Sequence, residues 1–380
     1  SQTPEEIASQ PRPPTKAGQN SPFRNRPKEE NTFLFIKMKE GKIKEGEHVL
    51  RAKIDMSNAN MLMRDPVIYR VLNKTHHRTL DKWNIYPMYD WAHGQCDYIE
   101  QISHSLCSLE FKPHRDLYEW FLDFLPANSA APKIRPKQRE FARLNLSYTI
   151  MSKRKLSKLV ENRVVSGWDD PRMPTISGLR RRGYTPNSIR SFIEKVGIAK
   201  RENIIDASLL EFCIREDLNK IAHRKMVVLN PLKLTIINYP DNEAELLSTE
   251  NNPEDPSAGI RKIPFSKHLY IEQEDFKESA NRKFFRLTID KEVRLKSAYI
   301  IKAVDCIKDS IGNVVEVLCE YDPKSKSGTG SPESLRKVKG TLHWVSIQES
   351  RKISVRLYDR LFMKETPGIN LQGDFMQDLN

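Results

Sequence analysis

Hydrophobic and polar residues follow two different periods along the chain, and the changes of period separate its regions. Between residues 83 and 160, "WNIYPMY" and "FARLNLSYTIM" are compact apolar or β-rich runs that predict strands. "LYEWFLDFL" predicts a helix. A second helix is predicted within "CDYIEQISHSLCSL" by apolar residues at helical spacing, namely Ile99, Ile102, Leu106 and Leu109. Strands that alternate with helices favour an α/β layer with parallel strands.

The residues before this region show weaker patterns. Residues 1–30 are polar and rich in Pro, and they lack an apolar period, so we expect a loosely ordered lead-in. "NTFLFIKMKEG" predicts a helix, whereas "HVLRAKI" and "PVIYRVL" predict strands.

Capping residues delimit three predicted helices between residues 168 and 222. Thr175 precedes "ISGLRRRG", Thr185 precedes "PNSIRSFIEKVG", and Asp206 precedes "ASLLEFCIREDLNKIA". Gly183 and Gly197 follow the first two helices at positions that favour a left-handed residue. These residues predict a small helical subdomain.

From Lys225 onward the pattern has a period near two and predicts strands. The runs are "MVVLN", "LKLTIIN", "VRLKSAYIIKAV", "VVEVLCEY", "GTLHWVS" and "ISVRLYDRLF", with "DSIGN" at 309–313 as a hairpin turn. "YDPKSKSGTGSPESLRK" reads as a polar loop between two strands. An antiparallel barrel would close so many strands.

The amino-acid composition indicates a class of binding partner. Lys and Arg total 63 against 50 Asp and Glu, a net charge of +13. Such an excess fits a polyanionic partner, although a basic protein with no nucleic-acid role remains the alternative. Five Cys do not form a disulfide framework and favour a reducing, cytoplasmic compartment. No apolar run approaches the ~20 residues of a membrane helix, and no signal peptide is visible.

The first candidate site lies in "YPMYDWAHGQCDYIEQISHSLCSLEF". His93 and Cys96, like His104 and Cys107, have a spacing that could hold zinc. Against a metal, the second pair falls within one predicted helix and no Gly-rich knuckle flanks it. A packed aromatic core is one alternative. Another is a polar pocket with Tyr89 and His93 at the carboxyl end of a strand, where open α/β sheets bind ligands.

The second candidate site is the run Met151-Ser152-Lys153-Arg154-Lys155. A lysine in a loop after a parallel strand can neutralise charge on the phosphates of a nucleotide. Arg143 on the incoming strand could contribute. A solvated basic turn explains the same residues.

A third candidate is a set of cations in the helical subdomain. Arg180–Arg182, Lys195, Lys200 and Arg201 could follow a nucleic-acid backbone. Taken singly, each could equally lie on a solvated helix face.

Several long motifs in order resemble the second half of the glutaminyl-tRNA synthetase family, which belongs to class I of the aminoacyl-tRNA synthetases. The catalytic half is represented by "KWNIYPMYDWAHG", "ISHSLCSLEF", "RLNLSYTIMSKRKL" and "GWDDPRMPTISGLRRRGYTPNSIR". "IREDLN", "KEVRLKSAY", "KVKGTLHWVS" and "VRLYDRLF" resemble its anticodon-binding barrels. The resemblance runs from about Gly18 to Phe362. "IMSKR", at Ile150–Arg154, corresponds to the second signature of the family, usually written KMSKS.

The resemblance implies a fold and domain limits. It implies a multi-domain α/β plus β protein with a partial Rossmann-type parallel sheet. Residues 1–80 would end an acceptor-stem-binding insertion, and 81–160 would form the second half of the catalytic domain. Residues 161–221 would form the helical tRNA-contacting subdomain, and 222–380 a truncated antiparallel β-barrel region that binds the anticodon.

The resemblance also implies roles for individual residues. Lys153 would be catalytic and would stabilise the departing pyrophosphate. Tyr89 and His93 would face the glutamine side chain, with Gln138 in the same pocket. ATP would be held by Ser108, Arg143, Leu144, Met151, Ser152 and Lys153. The tRNA would be bound by Lys200, Asn203 and Asp206 inside the L and by Asn219, Arg224, Arg286 and Arg294 on the anticodon side.

Substrates and partners follow from the same resemblance. ATP would enter with Mg²⁺ as a substrate, and no metal held by the protein is expected. Glutamine and its tRNA would be the other partners of a monomer that has no membrane partner.

The sequence departs from the family pattern in three respects. The first signature, His-Ile-Gly-His, is absent, so we expect the 380 residues alone to lack aminoacylation activity. The sequence stops before most of the distal barrel. Phe285 replaces a Lys found in some relatives, which argues against an anticodon contact there.

Two other functions stay open. A barrel-bearing glutamyl-tRNA synthetase would need an Arg in its pocket for the substrate carboxylate, whereas Tyr89, His93 and Gln138 suit an amide better. A synthetase remnant without activity would bind tRNA with strong salt dependence but would not exchange pyrophosphate into ATP.

Overall fold

The computed structural model describes residues 17–125, 134–368 and 374–380. The chain divides into two compact units. The first comprises Ser1–Asn145 with Gly197–Ile204, and the second comprises Leu146–Val196 with Ile205–Asn380.

The first unit begins with a helix and an antiparallel sheet, as predicted for this region. The helix packs on the sheet through a small apolar core that includes Met38 and Val71. Strands β1, β2 and β3 pair in that order. The elements are α1 (Lys28–Lys39), β1 (Val49–Arg51), β2 (Val67–Val71) and β3 (Ile85–Pro87).

The remainder of this unit contains a parallel pair of strands, an arrangement that the sequence predicted for this region but at other residues. Strands β4 and β5 run parallel, with Ser105 opposite Gln138. The helix predicted at "LYEWFLDFL" is confirmed, and it buries Leu117 and Phe121. The elements are α2 (Tyr89–Ile99), β4 (His104–Ser108), α3 (Arg115–Asp123), β5 (Lys137–Phe141) and β6 (Asn145–Leu146).

The helix predicted within "CDYIEQISHSLCSL" is wrong. Helix α2 ends at Ile99, and Gln101 adopts φ of +60°, which turns the chain out of the helix. Residues 104–108 then alternate between exposed and buried side chains, as a strand does. Two of the helix-spaced apolar residues, Ile99 and Leu106, are 70% and 67% exposed, so their spacing does not mark a buried face.

The strand predicted at "FARLNLSYTIM" forms only in part. Strand β5 ends at Phe141, and β6 contains two residues. Tyr148 then has φ of +55°, which is incompatible with a continuous strand. Ile150 lies beyond this turn and is buried.

The second unit contains the helices whose caps were predicted. The side-chain oxygens of Thr175, Thr185 and Asp206 accept backbone N–H groups at 2.9, 3.1 and 2.8 Å, which confirms all three caps. Gly183 has φ of +104°, the left-handed geometry expected after a helix. The elements are α4 (Lys153–Glu161), α5 (Ile176–Arg182), α6 (Pro186–Val196), β7 (Ile204–Ile205) and α7 (Ala207–Ile221).

A seven-stranded mixed sheet dominates the rest of this unit, in the order β15-β12-β13-β14-β8-β11-β16. The prediction of a purely antiparallel barrel is wrong, because β14 pairs parallel with β8, and β12 pairs parallel with β15. The predicted "DSIGN" hairpin turn is confirmed between β13 and β14. The strands are β8 (Pro231–Ile236), β11 (His268–Glu272), β12 (Glu292–Leu295), β13 (Ile300–Lys308), β14 (Val314–Tyr321), β15 (Thr341–Leu342) and β16 (Val345–Ser346).

One short segment joins the two edges of this sheet. Strands β15 and β16 lie at opposite ends of the strand order, yet they are separated by two residues in sequence. The sheet therefore curls around its core, in which Phe265 and Trp344 pack edge to face at 5.1 Å. An additional antiparallel pair, β9 (Ala244–Glu250) and β10 (Ile260–Ser266), was not predicted, nor was β11. The predicted polar loop contains a short helix, α8 (Pro332–Leu335).

Two predicted strands do not form. "MVVLN" and the residues 353–361 of "ISVRLYDRLF" are described without any strand assignment. Both keep alternating apolar side chains, and Val227, Leu229, Ile353 and Val355 are 45–67% exposed. Both segments line one cavity of about 1050 Å³. In the described part of both segments no residue joins a β-ladder, so the alternating pattern is present without a strand.

Among the described residues, the helices all fall short of the length and apolar character that crossing a membrane requires.

Candidate functional site

The first side chains of helix α2 form an aromatic cluster with Phe111 in the first unit. The rings of Tyr89 and His93 stack with their centroids 5.0 Å apart, and Tyr89 lies 5.2 Å from the ring of Phe111. Tyr89 is 51% exposed, so its hydroxyl can reach a ligand. Burial of its ring side and the nearby Cys107 raise the pKa of Tyr89, which keeps the hydroxyl protonated at neutral pH.

The strand before Tyr89 is not part of a parallel sheet, contrary to the prediction from the sequence. Strand β3 ends at Pro87, two residues before Tyr89, but it belongs to the antiparallel sheet. The rule for carboxyl ends of parallel strands therefore does not apply to this position. Tyr89 is positioned by the start of helix α2 instead.

His93 is held by a hydrogen-bonded group beneath the pocket. Its Nε2 lies 2.8 Å from the Ser105 hydroxyl and 3.1 Å from Oδ2 of Asp97. The Tyr118 hydroxyl donates to the same Asp97 oxygen at 2.9 Å. Burial and this carboxylate raise the pKa of Tyr118, so its phenol stays neutral. The contacts with Ser105 and Asp97 fix the orientation of the His93 imidazole, which stacks on Tyr89.

The zinc alternative finds no support in this geometry. His93 Nε2 is engaged as described, Cys96 is exposed, and His104 and Cys107 lie on opposite faces of β4. In residues 17–125, 134–368 and 374–380, no group of three or more His, Cys, Asp or Glu side chains could hold a metal ion.

Gln138 is linked to the same aromatic cluster through Phe111. Its side chain is on β5 and only 3% of the residue is exposed. The amide nitrogen donates to the carbonyl of Phe111 at 3.0 Å and to Oε1 of Glu140 at 2.9 Å. Glu140 is paired with Arg115, whose Nε lies 2.9 Å from Oε1.

These contacts bring the three predicted glutamine-pocket residues together. Ser105 is the strand neighbour of Gln138 and a hydrogen-bond partner of His93. Phe111 contacts Tyr89 through its ring and Gln138 through its carbonyl. The three residues therefore contribute an aromatic hydroxyl, an imidazole and an amide, which are groups suited to hydrogen bonding.

Two of the residues predicted to line an adenosine meet at one carboxylate. Ser108 ends β4, and its hydroxyl donates to Glu110. Arg143 donates to the other oxygen of Glu110 at 2.5 Å. The hydrogen bonds from Ser108 and Arg143 lower the pKa of Glu110. Leu144, the third residue, is half-buried between β5 and β6.

The signature segment forms the start of helix α4 in the second unit. Ile150 is buried and anchors it, and Ser152 precedes the helix without a side-chain cap. The first turn holds Lys153, Arg154 and Lys155 and no acidic residue. Cations at a helix N-terminus oppose the helix dipole, whereas the free N–H groups there favour an anion. The arrangement is thus suited to binding phosphate.

The lysines of this turn differ in their surroundings. The Nζ of Lys155 lies 5.6 Å from the centre of the Phe375 ring, so this side chain packs on the C-terminal segment. Lys153 is exposed, and no described residue pairs with it. Arg154 is exposed as well, so Lys153 and Arg154 are the cations of this turn that are available to a ligand.

The residues predicted to contact tRNA lie in both units. Lys200 and Asn203 are exposed in the first unit. In the second unit Asp206 caps α7, Arg224 donates to Asn219 at 3.0 Å, and Arg286 pairs with Asp275 at 3.0 Å. Arg294 donates to oxygens of Ser325, Ser327, Ser334 and Arg336, so its guanidinium holds a loop.

The cations of the helical subdomain are mostly solvated. Arg180 and Arg182 are exposed, whereas Arg181 pairs with Asp169 at 3.1 Å and Lys195 lies 3.7 Å from Glu216.

Sequence reasoning missed the residues that hold the pocket in place. Asp97, Glu110, Tyr118 and Glu140 were not singled out. Three of them had a local signal: Asp97 follows His93 by four residues on the same helix face, and Glu110 and Glu140 each follow a predicted site residue by two positions. The contacts of Tyr118 with Asp97 and of Arg115 with Glu140 join elements distant in sequence.

Comparison with known proteins supports one family. The family model for the catalytic domain of class I tRNA synthetases (E and Q) matches residues 1–220, and the model for their anticodon-binding domain matches residues 222–322. A glutamine--tRNA ligase of Rhodopirellula baltica is 55% identical over 367 residues, which are 96% of this chain and 60% of the relative.

Two further relatives bear the same name. The glutamine--tRNA ligase of Clostridium perfringens is 53% identical over 378 residues, covering 100% of this chain and 67% of the relative. That of Bradyrhizobium diazoefficiens is 51% identical over 379 residues, covering 100% and 66%. The chain thus spans between 60% and 67% of the lengths of these three curated relatives.

Proposed function

The chain belongs to the class I tRNA synthetases for glutamate and glutamine, and on that premise we propose that its protein joins glutamine to tRNA in the cytoplasm. The observation that carries the choice of glutamine is the cluster of Tyr89, His93 and Gln138 around Phe111. These groups can hydrogen-bond a side-chain amide. The guanidinium of Arg115, which reaches the network, is already neutralised by Glu140.

The reaction has two steps. The glutamine carboxylate attacks the α-phosphorus of ATP, a new O–P bond forms, and the bond to pyrophosphate breaks. The terminal ribose hydroxyl of the tRNA then attacks the acyl carbon of the adenylate, losing its proton as AMP departs. Mg²⁺ enters with ATP as part of the substrate. Catalysis is then mainly positioning and charge stabilisation.

Lys153 supplies charge stabilisation in this proposal. The exposed ammonium group stands at a helix N-terminus with no competing carboxylate in the first turn. Both features favour the pyrophosphate as negative charge develops on it. Met151 and Ser152 precede Lys153 and complete the ATP contact, while Ser108, Arg143 and Leu144 line the adenosine.

The tRNA would meet the basic surface of both units. The excess of 13 positive charges serves the phosphate backbone. Lys200, Asn203 and Asp206 would contact the inside of the tRNA L. Asn219, Arg224 and Arg286 would lie on the anticodon side, within a barrel-like region that begins near residue 222.

The finer architecture is part of the proposal. Residues 1–80 would complete an acceptor-stem-binding insertion, 81–160 would be half of a Rossmann-type catalytic domain, and 161–221 would be the helical subdomain. The parallel pair β4 and β5 supports the second of these assignments.

A charging assay tests the function. The full-length protein is incubated with ATP, tRNA and either glutamine or glutamate, and aminoacyl-tRNA is measured together with pyrophosphate exchange. Glutaminyl-tRNA formation at least about a hundredfold more efficient than glutamyl-tRNA formation is expected. Preferential charging with glutamate would reassign the pocket, and salt-sensitive tRNA binding without exchange would indicate a binding protein.

A further inference from the structure

The beginning of the first unit contains a cavity that the proposed reaction does not use. Its volume is about 510 Å³, and it is lined by strand β1, the first turns of helix α1 and the chain before that helix. It shares no residue with the aromatic cluster around Phe111 or with the signature segment 150–154. The lining contains one carboxylate, that of Asp65, and several cations. These cations are Arg24, Arg26, Lys28, Arg51 and Lys53.

Two ion pairs neutralise part of this positive charge. The Nε atom of Arg24 lies 2.6 Å from Oδ2 of Asp65, whose side chain is only 10% exposed. The Nε atom of Arg26 lies 3.1 Å from Oε1 of Glu30, a residue outside the lining. Both guanidinium groups are thereby held in place at the cavity wall.

Two lysines of the lining have no carboxylate partner among the residues that the structure describes. Lys53 donates from Nζ to the neutral Oδ1 of Asn25 at 2.9 Å. Lys28 is exposed and opens helix α1, whose N-terminus no side chain caps. The N–H groups of an uncapped helix start favour an anion. Glu29 follows Lys28 and opposes an anion there, but it does not line the cavity.

His48 lines the same cavity, and its buried Nδ1 atom has no hydrogen-bond partner. Burial and the nearby Arg26 lower the pKa of His48, whereas Glu47 acts in the opposite direction. The imidazole is therefore neutral at pH 7, with one nitrogen that donates and one that accepts. Because buried polar atoms are nearly always paired, the free Nδ1 indicates a group that the described chain does not supply.

We propose that this cavity binds a phosphate group, with Lys28 and Lys53 supplying uncompensated charge and His48 a hydrogen bond. Phosphate oxygens accept charge-assisted hydrogen bonds from ammonium and guanidinium groups, and they point in several directions at once. The volume accommodates a phosphate together with part of the molecule that carries it. That molecule is either free phosphate or an RNA backbone, which present the same chemistry to the site.

The ring signal of His48 tests occupancy in the full-length protein. Histidine is labelled with ¹³C, and the His48 signal is assigned by its loss in His48→Gln. Inorganic phosphate is titrated at constant ionic strength, with Lys153→Ala in every sample to remove the proposed ATP contact. We expect a saturable change of the signal and a higher pKa of His48, because a nearby anion stabilises the imidazolium. A signal that does not respond to phosphate overturns the proposal.

Charge variants show whether the site is specific. Lys28→Ala and Lys53→Ala should each raise the Kd for phosphate about fivefold, and both residues are exposed, so the fold should tolerate the changes. Lys53→Arg keeps the charge and should restore most of the affinity. Lys39→Ala removes a cation from the other end of helix α1, outside the cavity, and should leave the Kd unchanged. An equal rise of the Kd in Lys39→Ala would indicate general attraction and would overturn the proposal.

Saturating tRNA identifies the source of the phosphate. If an RNA phosphate enters the cavity, tRNA shifts the His48 signal in the same direction and prevents the response to inorganic phosphate. If inorganic phosphate still binds beside tRNA, the ligand is a free phosphate. Both results support the site. None of these measurements requires aminoacylation, so a protein that fails to charge tRNA would refute the proposed function and leave this inference standing.

Discussion

The Nη2 atom of Arg143 lies 2.5 Å from Oε1 of Glu110, a carboxylate that also accepts the hydroxyl of Ser108. Both donors are proposed to line the adenosine of ATP, so Glu110 sets their distance from each other. Glu110→Ala is expected to raise the KM for ATP severalfold while changing the KM for glutamine little. Pyrophosphate-exchange kinetics measure both constants, with Glu100→Ala as the exposed control. Equal rises of both constants would contradict a local role.

Replacing Lys153 should separate activation from tRNA binding. Lys153 is exposed and makes no described contact, so Lys153→Ala should change the free energy of unfolding by less than about 0.5 kcal/mol. Pyrophosphate exchange should fall by about a hundredfold or more, whereas the Kd for tRNA stays nearly constant. Lys158→Ala, in the last turn of the same helix, serves as the control. A large loss of tRNA affinity would show that Lys153 contacts the RNA backbone.

Removing the Tyr89 hydroxyl should weaken glutamine binding. The ring of Tyr89 stays in place through its contacts with His93 and Phe111, so Tyr89→Phe removes only a hydrogen bond. A loss of about 1 kcal/mol corresponds to a KM for glutamine about fivefold higher. The KM for ATP is the internal control. An unchanged KM for glutamine would remove Tyr89 from the pocket.

The buried Asp170 should control acid stability in the second unit. Hydrogen bonds from the Arg172 side chain, against the opposing effect of burial, lower the pKa of Asp170, and the backbone N–H groups of Ser166 and Arg172 add to the effect. A lowered pKa in the folded state stabilises the protein above the usual carboxyl pKa. That stabilisation disappears as the pH falls through the lowered value.

Asp170→Asn tests this contribution. It should reduce the free energy of unfolding at pH 7 by about 3 kcal/mol. Its stability should also fall less steeply below about pH 4 than that of the wild type. Denaturant titrations at several pH values measure both effects. Asp169→Asn, next to it and 59% exposed at its side chain, should cost less than about 0.5 kcal/mol. Equal losses of unfolding free energy in Asp170→Asn and Asp169→Asn would mean that the buried hydrogen bonds of Asp170 add no stability.

We expect Arg294 to stabilise the folded protein and not only to bind tRNA. It joins β12 to the loop through the oxygens of Ser325, Ser327, Ser334 and Arg336, and burial lowers its pKa. Arg294→Ala should lower the free energy of unfolding by about 2 kcal/mol. Arg282→Ala, an exposed cation, should leave it unchanged. A variant with normal stability but weak tRNA binding would restore Arg294 to the RNA contacts.

The sequence predicted best where local chemistry decides the structure. Thr175, Thr185 and Asp206 cap helices through bonds to residues two or three positions away, and all three helices form as predicted. The helix across residues 96–109 was wrong because the apolar spacing competed with the turn at Gln101, which side-chain pattern does not reveal. Strands β9, β10 and β11 were missed, although "AELLSTE" alternates in its burial.

The residues of the candidate site were predictable from the sequence, but most of the hydrogen bonds that orient them were not. The quoted motifs identify Tyr89, His93 and Gln138 through resemblance. The hydrogen bonds that orient Gln138 come from Phe111 and Glu140, and Glu140 is held by Arg115, 25 positions earlier in the chain. The Glu140 contact joins two positions of one strand, but the contacts with Phe111 and Arg115 depend on the pairing of β4 with β5 and on the packing of α3, which no local pattern specifies.

The segment Thr341–Ser346 joins the two edges of the sheet, since its first residues pair with β12 and its last residues pair with β11. Trp344 at its centre is 1% exposed and donates its indole N–H to the Lys296 carbonyl at 3.0 Å. Because this segment is synthesised late, the sheet can close around its core only after the segment has left the ribosome. Maturation of the sheet therefore awaits contacts between distant parts of the chain, which places it among slow-folding topologies.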